Sequence, residues 1–401
     1  MKIQSIEAIP IRLARAEAGR RGTAGSPTPL VAATCDYRWS VVVPALYSIY
    51  FETALVKVTT DTGLTGWGEA QAPLAPEVAC TIIHLLLSPV LLGRRFSGDP
   101  KEIEQCWELM YSTMRIRGQT GGFMLDAISG VDLALWDLAG KIRGQPVCEL
   151  IAGRAKKKLV RAYLSGLAGA TIEQKLKTAH QFWKQGFRHF KLFYEGEKSQ
   201  LFATIDALRS KYRRDAHVAV DALWRLTPET AVAFGRELDE RGVMWLEAPL
   251  LPEDPTAHRK LAAKIHTSLA LGESYRTRYE IAPFLNPLVV SVLQPDVSRC
   301  GLTEALRIAK MLRQHSHLTR IAPHVSIALG PQIAAAIQYA AVCEECHLVE
   351  YNSRVFEIAN CFLARPLSLD GAAYRVPAGP GLGVEILEDK LRAHMLPSRR
   401  N

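Results

Sequence analysis

Residues 217–250, HVAVDALWRLTPETAVAFGRELDERGVMWLEAPL, hold the pattern that decides the fold. Two short apolar runs, HVAVDAL and VMWLEAP, each carry a carboxylate near their end, and a stretch with helical spacing, TPETAVAFGRELDERG, lies between them. Short apolar runs predict buried strands, and an intervening helix returns the chain to the starting edge of the sheet. The stretch therefore predicts a parallel strand–helix–strand unit.

The same unit recurs along the chain from about residue 159. Eight stretches have the strand pattern: LVRAYLS, FRHFKLF, HVAVDAL, VMWLEAP, SLALGES, LVVSVLQPD, LTRIAPH and HLVEYN. Eight parallel strands favour a closed barrel over an open doubly wound sheet. The glycine-rich nucleotide fingerprint that often accompanies the open sheet is missing, because GPGLG at 379–383 does not open a helix.

The N-terminal region has a different pattern. Residues 1–60 predict an antiparallel meander with a hairpin near residues 61–63, followed by helices at about 101–115 and 124–142. Residues 15–40 lack periodicity and predict a long loop of the kind that forms lids. We therefore expect an α/β protein with three parts, namely an α+β capping domain at 1–125, a (β/α)7β-type TIM barrel at 126–360 and a C-terminal segment at 361–401 that returns to the cap.

The composition indicates the cellular location and the kind of binding partner to expect. No apolar run is long enough to span a bilayer, and the N-terminal MKIQSIEAIPIRL alternates like a strand instead of a signal peptide, so we expect a cytosolic protein without membrane contact. The net charge is +9, but its densest cluster, residues 154–158, has no interleaved aromatic residues. This pattern favours a solvated loop over nucleic-acid binding, and a positive surface suits a small anionic substrate.

Seven strands in succession end in a polar or charged residue, at intervals of 23 to 30 residues. These residues are Lys191, Asp221, Glu247, Glu273, Asp296, His324 and Glu350. A single such residue is often an ordinary strand-end or capping group. A barrel, however, gathers the carboxyl ends of its strands at one mouth, where barrel enzymes carry out chemistry, so the set of seven predicts one active site.

The acidic members and the histidine predict particular chemistry. Asp221, Glu247 and Glu273 would lie on neighbouring strands about 4.8 Å apart, and their mutual repulsion calls for a hard divalent cation with oxygen ligands, most simply Mg²⁺. Asp296 and His324 follow on adjacent strands. An Asp beside a His fixes the tautomer and stabilises the imidazolium, which makes the His a competent base near neutral pH.

With these residues in place, the chain resembles the enolase superfamily, in its mandelate racemase and muconate lactonizing enzyme branch. The resemblance runs through nearly the whole chain, in TGWGEA at 65–70, GVDLALWDLAGK, VDAL, WLEAP, LGES, LQPD, IAPH and VPAGPGLGVE. It implies removal of the proton α to a carboxylate, with the charge carried as an enediolate. It implies Asp221, Glu247 and Glu273 as Mg²⁺ ligands, His324 with Asp296 as the proton-transfer pair, and Glu350 as a hydrogen-bond partner of the substrate carboxylate. Relatives are commonly dimers or octamers, so we expect a homo-oligomer.

One departure from that family narrows the reaction. The second strand of the mandelate racemase pattern carries a Lys-x-Lys pair. In this chain the two corresponding positions hold Lys191 and Phe193. Lys191 would adjoin the substrate carboxylate. The base for the opposite face is missing unless Tyr194 reaches in, so racemisation is disfavoured, whereas one base suffices for β-elimination. We therefore expect a hydro-lyase that dehydrates a sugar acid.

Several points stay open at this level. Leu223 stands where some sugar-acid dehydratases have a general acid, so the group that protonates the leaving oxygen is not identified. Tyr163, Phe193 and Arg117 are candidates for substrate contact. The alternatives are an isomerase, either a racemase or a cycloisomerase of a sugar-acid lactone, and a catalytically silent member of the superfamily.

Overall fold

The computed structural model describes residues 1–14, 36–40, 43, 45–285, 289–315 and 319–397. Most of the predicted lid at 15–40 lies outside these residues, and its last four form a strand. The N-terminal strands are β1 (Ile3–Ala14), β2 (Tyr37–Ser40), β3 (Ala45–Ser48), β4 (Tyr50–Thr60) and β5 (Thr65–Ala70). β1, β4 and β5 form an antiparallel sheet in that order, and β2 pairs with β3. The predicted meander and its hairpin between β4 and β5 are confirmed.

Helices cover one side of this sheet. They are α1 (Pro76–Ile82), a π-helical turn (Ile83–Leu87), α2 (Ser88–Leu91), α3 (Pro100–Arg115), α4 (Gly122–Arg143) and α5 (Val147–Ala152). α3 and α4 match the two predicted helices. α4 packs closely on β5 because Gly66 and Gly68 bring the two backbones together: a Cβ at position 68 would lie 2.1 Å from the carbonyl oxygen of Gly130. The predicted domain boundary at 125/126 falls inside α4 and stays a prediction.

The second part of the described chain is a parallel barrel. Its strands are β6 (Leu159–Ser165), β7 (His189–Phe193), β8 (His217–Asp221), β9 (Leu246–Glu247), β10 (Leu269–Leu271), β11 (Val292–Leu293), β12 (Arg320–Ile321) and β13 (Val349–Tyr351). Each pairs in parallel with the next from β6 to β12, and β13 pairs with β6. A parallel bridge between Ile321 and Cys346 links β12 to the segment before β13. The predicted barrel is confirmed.

Helices separate the barrel strands. They are α6 (Ile172–Lys184), α7 (Lys198–Tyr212), α8 (Pro228–Glu240), α9 (Pro255–Ala262), α10 (Arg278–Ile281), α11 (Val297–His315), α12 (Pro331–Val342) and α13 (Ser353–Cys361). Local sequence fixes several of their starts. α8, for instance, begins at a capping box in which the side chains of Thr227 and Thr230 each accept from the other residue's backbone N–H, and Pro228 occupies its first turn.

The C-terminal segment returns to both parts of the molecule. β14 (Leu369–Asp370) and β15 (Ala373–Arg375) form a hairpin that pairs with β6 at the start of the barrel, and α14 (Glu388–Leu391) follows. The backbone N–H of Leu396 then donates to the carbonyl of Pro10 on β1. No helix in the described ranges is long and apolar enough to cross a membrane.

The barrel interior is layered. Its middle layer is a separate apolar cluster in which every member comes from a barrel strand or its direct extension: Tyr163, Ala219, Trp245, Ala270, Val292, Ala322 and Leu348. Side chains alternate along a strand, so the residues two positions later point inward one layer higher. Those residues include Asp221, Glu247, His324 and Glu350, and the fold thus carries them to the C-terminal mouth.

Candidate active site

The barrel brings the seven strand-end residues together. Lys191 lies in their midst, 1% exposed, with its Nζ 2.6 Å from Oε1 of Glu247 and 3.0 Å from Oε1 of Glu350. Asp221 Oδ2 lies 3.5 Å from the same ammonium. One buried cation therefore contacts three buried carboxylates that come from β8, β9 and β13.

His324 connects the remaining members. Its Nδ1 lies 2.8 Å from Oδ2 of Asp296, and its Nε2 lies 2.6 Å from Oε2 of Glu273. Glu350 Oε2 is 3.6 Å from the same Nε2. One imidazole nitrogen thus contacts Asp296, the predicted partner in proton transfer, and the other contacts Glu273, a predicted metal ligand. The side chain of His324 is 13% exposed.

Electrostatics of the site follow from burial and close packing of charge. Burial lowers the pKa of Lys191, but Glu247 and Glu350 outweigh it and hold the pKa well above its ordinary value. Burial also lowers the pKa of His324, and here Glu273 and Glu350 outweigh it. Burial and the neighbouring Glu247 both raise the pKa of Asp221 well above its usual range. This arrangement favours the protonated form of His324 and the neutral form of Asp221.

Two side chains that the sequence analysis did not single out support Glu247. Trp245 Nε1 and Gln294 Nε2 both donate to Oε2 of Glu247, at 3.1 and 2.7 Å. Gln294 follows β11 two positions after Val292, on the inward side. Strand alternation is the signal that could have identified Gln294, because it places this residue in the same layer as the carboxylates.

The backbone that follows Asp221 and Glu247 has positive φ angles. Leu223, Trp224 and Ala248 have φ angles of 54°, 55° and 42°, in the left-handed region that non-glycine residues rarely adopt. The turn is held by Leu223, whose N–H donates to Oδ1 of Asp221 at 2.9 Å. Strained backbone concentrates at functional sites, and here it directly follows Asp221 and Glu247.

Hydrogen bonds connect the His324–Asp296 pair to the N-terminal region. The N–H and Oγ of Ser298 both donate to Oδ1 of Asp296, at 2.9 and 2.5 Å. Gln71, which follows β5, receives a hydrogen bond from Ser298 Oγ and donates to Ser326 two residues after His324. No local sequence pattern indicates Ser298 or Gln71, because their contact joins segments that are distant in the chain.

The three predicted metal ligands fit a hard cation by their chemistry. Asp221, Glu247 and Glu273 offer oxygen donors alone, and burial together with the neighbouring Glu247 raises the pKa of Asp221, an effect that a divalent cation would oppose. A cavity of about 10 Å³ adjoins Glu247 and Glu273. Within the described residues no three acidic, His or Cys groups form a ready cation cage; Glu247 contacts Lys191 and Glu273 contacts His324 instead.

The proposed substrate contacts differ in position. Phe193 lies in register with Asp221, and its ring packs on Gly166, where a Cβ would lie 2.9 Å from ring carbon Cε2. Tyr163 is fully buried in the middle layer of the barrel, with Lys191 Nζ 5.8 Å from its ring centroid. Arg117 is exposed on the turn after α3, and its side chain makes no hydrogen bond or ion pair with the described residues.

Tyr194 does not supply the missing base. Its ring packs against Phe234 of α8, with centroids 4.9 Å apart, and Arg225 lies over its face. Alternation along β7 turns Lys191 and Phe193 inward and the next residue outward. Tyr194 therefore faces away from the reacting side of the barrel.

Comparison with known proteins agrees with this geometry. Residues 48–152 match the N-terminal domain of the mandelate racemase and muconate lactonizing enzymes, and residues 175–390 match the enolase C-terminal domain-like family. The second match covers more than half of the chain. The protein therefore belongs to the mandelate racemase and muconate lactonizing enzyme branch of the enolase superfamily.

Individual relatives include two kinds of enzyme. The chain is 31% identical to a D-galactarolactone cycloisomerase of Agrobacterium fabrum, over 86% of this chain and 91% of that one. It is also 31% identical to a D-galactonate dehydratase of Ralstonia pickettii, over 86% and 92%. The structure of a member of the enolase superfamily from Agrobacterium tumefaciens superposes with a TM-score of 0.89 at 27% identity, covering 98% of this chain and 99% of that one.

Proposed function

We propose that the protein is a hydro-lyase that removes water from a sugar acid, starting with the proton α to the carboxylate. The observation that carries this proposal is the asymmetry of the mouth. The His324–Asp296 pair stands on one side, and the nonreactive ring of Phe193 stands on β7, separated from β12 by β6 and β13. A site with one proton-transfer group favours elimination over racemisation.

Substrate binding uses the charged centre of the mouth. The Lys191 ammonium would donate to the substrate carboxylate. Glu350 would donate to the same group in its protonated form, for which the substrate has to displace the contacts with Lys191 and His324 that lower the pKa of Glu350 against the effect of burial. Asp221, Glu247 and Glu273 would hold Mg²⁺, which when bound supplies positive charge that makes the α-proton more acidic. Family membership supports the choice of Mg²⁺.

Proton transfer then depends on His324. Its Nε2 takes the α-proton when the ring is neutral, while Asp296 accepts from Nδ1–H and stabilises the imidazolium that forms. The electron pair of the broken C–H bond moves into the enediolate, which then expels the β-hydroxyl. The imidazolium returns its proton to that oxygen, so that water leaves and an enol remains, which tautomerises to a 2-keto-3-deoxy acid.

Glu273 controls whether His324 is a base. In this structure Nε2 donates to Glu273, and that contact favours the protonated imidazole. Engagement of Glu273 elsewhere would remove the contact and lower the pKa of His324 toward its ordinary value. Metal binding and the basic form of His324 are thus linked through one carboxylate.

A cycloisomerase of a sugar-acid lactone is the second candidate, favoured by the similarity to the galactarolactone enzyme. The same base would remove the α-proton, and the ring oxygen would leave in place of a hydroxyl. The first step is shared, so the product distinguishes the two reactions.

A screen of aldonic acids, aldaric acids and their lactones with Mg²⁺ tests both candidates. D-galactonate and D-galactarolactone come first because the relatives act on them. Keto-acid formation from an open acid supports the dehydratase, and a rearranged open acid from a lactone supports the cycloisomerase. No turnover across the library would favour the silent barrel. The cytosolic location and the dimeric or octameric state remain predictions, which fractionation and native mass would test.

A further inference from the structure

A cavity of about 360 Å³ opens at the end of the barrel opposite to the carboxylates. Its walls are Arg161 on β6, Arg188 and His189 at the start of β7, His217 at the start of β8, and the turn of the β14–β15 hairpin at Ala372. We call it the basal cavity. Nothing in the proposed reaction uses it.

Strand alternation explains why its side chains meet. Arg161 and His217 each stand two positions before a member of the middle layer, Tyr163 and Ala219. His189 stands two positions before Lys191, which lies opposite Ala219 in the ladder. They therefore point into the barrel one layer lower. Three consecutive strands thus carry cationic or protonatable groups at the N-terminal end, just as three consecutive strands carry carboxylates at the C-terminal end.

Two arginines give this cavity a positive lining. Neither Arg161 nor Arg188 forms an ion pair with a carboxylate of the described residues. Nη1 of Arg188 donates to the carbonyls of Trp183 and Phe187, and its guanidinium stacks on the Trp183 ring at 3.8 Å. These contacts fix the guanidinium while its Nε and Nη2 remain available within the described structure.

The two histidines of the cavity lie against each other. Their rings stack with centroids 4.7 Å apart and planes 17° from parallel. Burial lowers the pKa of His189 to about 4, and the neighbouring His217 and Arg161 act in the same direction. An anion in the cavity would offset this repulsion and would accept hydrogen bonds from the imidazole and guanidinium N–H groups.

From this geometry we propose that the basal cavity binds a phosphate-class dianion. Two guanidinium groups and two imidazoles provide the multiple N–H donors that tetrahedral oxyanions require. The volume lies in the range of small-molecule pockets and exceeds that of the phosphate group itself, so the site has room for the organic part of a phosphate monoester.

Isothermal titration of the full-length protein tests the proposal. The probes are inorganic phosphate and glycerol phosphate, at an ionic strength matched with chloride. We expect saturable binding to the parent, and binding at least ten-fold weaker in Arg161→Gln and in His217→Gln. Both side chains are exposed, so these variants should keep the parent's melting temperature. Tighter binding of glycerol phosphate than of phosphate would identify a monoester site, and the reverse would identify a site for the free ion.

Two control variants locate the binding. Lys177→Gln removes an exposed charge on α6 away from the cavity, and His324→Asn alters the opposite mouth. Both should bind phosphate like the parent. The proposal is contradicted if neither probe binds, if Arg161→Gln and His217→Gln bind like the parent, or if His324→Asn alone abolishes binding. This test does not involve catalysis, so its outcome is independent of the proposed function.

Discussion

Phe193 and Asp221 lie directly opposite each other in the ladder between β7 and β8. The strand position beside the first acidic residue of the site therefore carries an apolar ring, and Lys191 Nζ lies 5.5 Å from the centroid of that ring. A benzyl group neither accepts nor releases protons, so we expect the acid–base chemistry at this mouth on the His324 side.

Replacing Phe193 with Lys should add chemistry on the other face. We expect the F193K variant to return substrate epimerised at the α-carbon, because an amine at 193 can deliver a proton to the face that His324 does not reach. NMR of the recovered substrate measures the epimer. F193L keeps an apolar group over Gly166 and should retain elimination within about three-fold of the parent. Epimer formation by the parent itself would contradict the one-base account.

Ser298 should position the dyad without touching the substrate. S298A removes the hydroxyl that donates to Asp296 at 2.5 Å, so Asp296 should hold His324 less firmly. We expect kcat to fall about 10- to 100-fold, in line with the loss of comparable supporting contacts, with little change in KM. The control is S88A, since the Ser88 hydroxyl is buried without a hydrogen-bond partner among the described residues. An equal fall in S88A would show a packing effect instead.

Metal dependence can be tested with EDTA and with substitutions at the end of β8 and just before its start. EDTA should abolish turnover, and added Mg²⁺ should restore it, because the positive charge of the metal would make the α-proton of the substrate more acidic. D221N should lose at least about 100-fold in activity and should no longer be stabilised by Mg²⁺ in a melting experiment. D215N changes an exposed carboxylate just before the same strand and should behave like the parent. Full activity in EDTA would refute the metal assignment.

Asp132 on α4 should make stability depend on pH. Burial raises its pKa to about 7, although Thr303 donates to it from both its hydroxyl and its N–H. The folded state therefore keeps a proton that the unfolded chain loses near pH 4. Stability contributed by this proton is full below about pH 4 and is lost as the pH rises to about 7, by at most about 1.4 kcal/mol per pH unit.

Urea titrations of D132N across this range measure the effect. The variant cannot ionise at this position, so its free energy of unfolding should fall less with rising pH than that of the parent. D389N alters an exposed carboxylate on α14 and should leave the parent's slope unchanged. Parallel slopes in D132N and the parent would contradict the raised pKa.

The sequence predicted the barrel and its mouth because the information is local and repeated. A strand such as HVAVDAL, for residues 217–223, is short and apolar, and its carboxylate falls at the strand end that every parallel barrel turns to the same side. Spacing alone thus placed Asp221 near Glu247 and Asp296 near His324, and the ion pairs and contacts of the structure match that arrangement.

Other features depend on contacts between distant segments. Gln71 and Ser298 are 227 positions apart, and no local pattern indicates that they meet. Arg117 lies in a turn whose direction is set by how α3 packs, so its sequence position could not tell whether it faces the mouth. The commitment of His324 Nε2 to Glu273 is likewise a matter of side-chain geometry, which strand order does not determine.

Solvent deuterium exchange at the α-carbon tests the central claim most directly. The parent is incubated with D-galactonate or D-galactarolactone and Mg²⁺ in D₂O, beside H324N, and the substrate and product are followed by NMR. We expect the parent to break the α C–H bond and form product, and H324N to lose both by about 10²- to 10⁴-fold. Product formation by H324N at the parent's rate, with the α-proton removed equally fast, would contradict the assignment of His324 as the base.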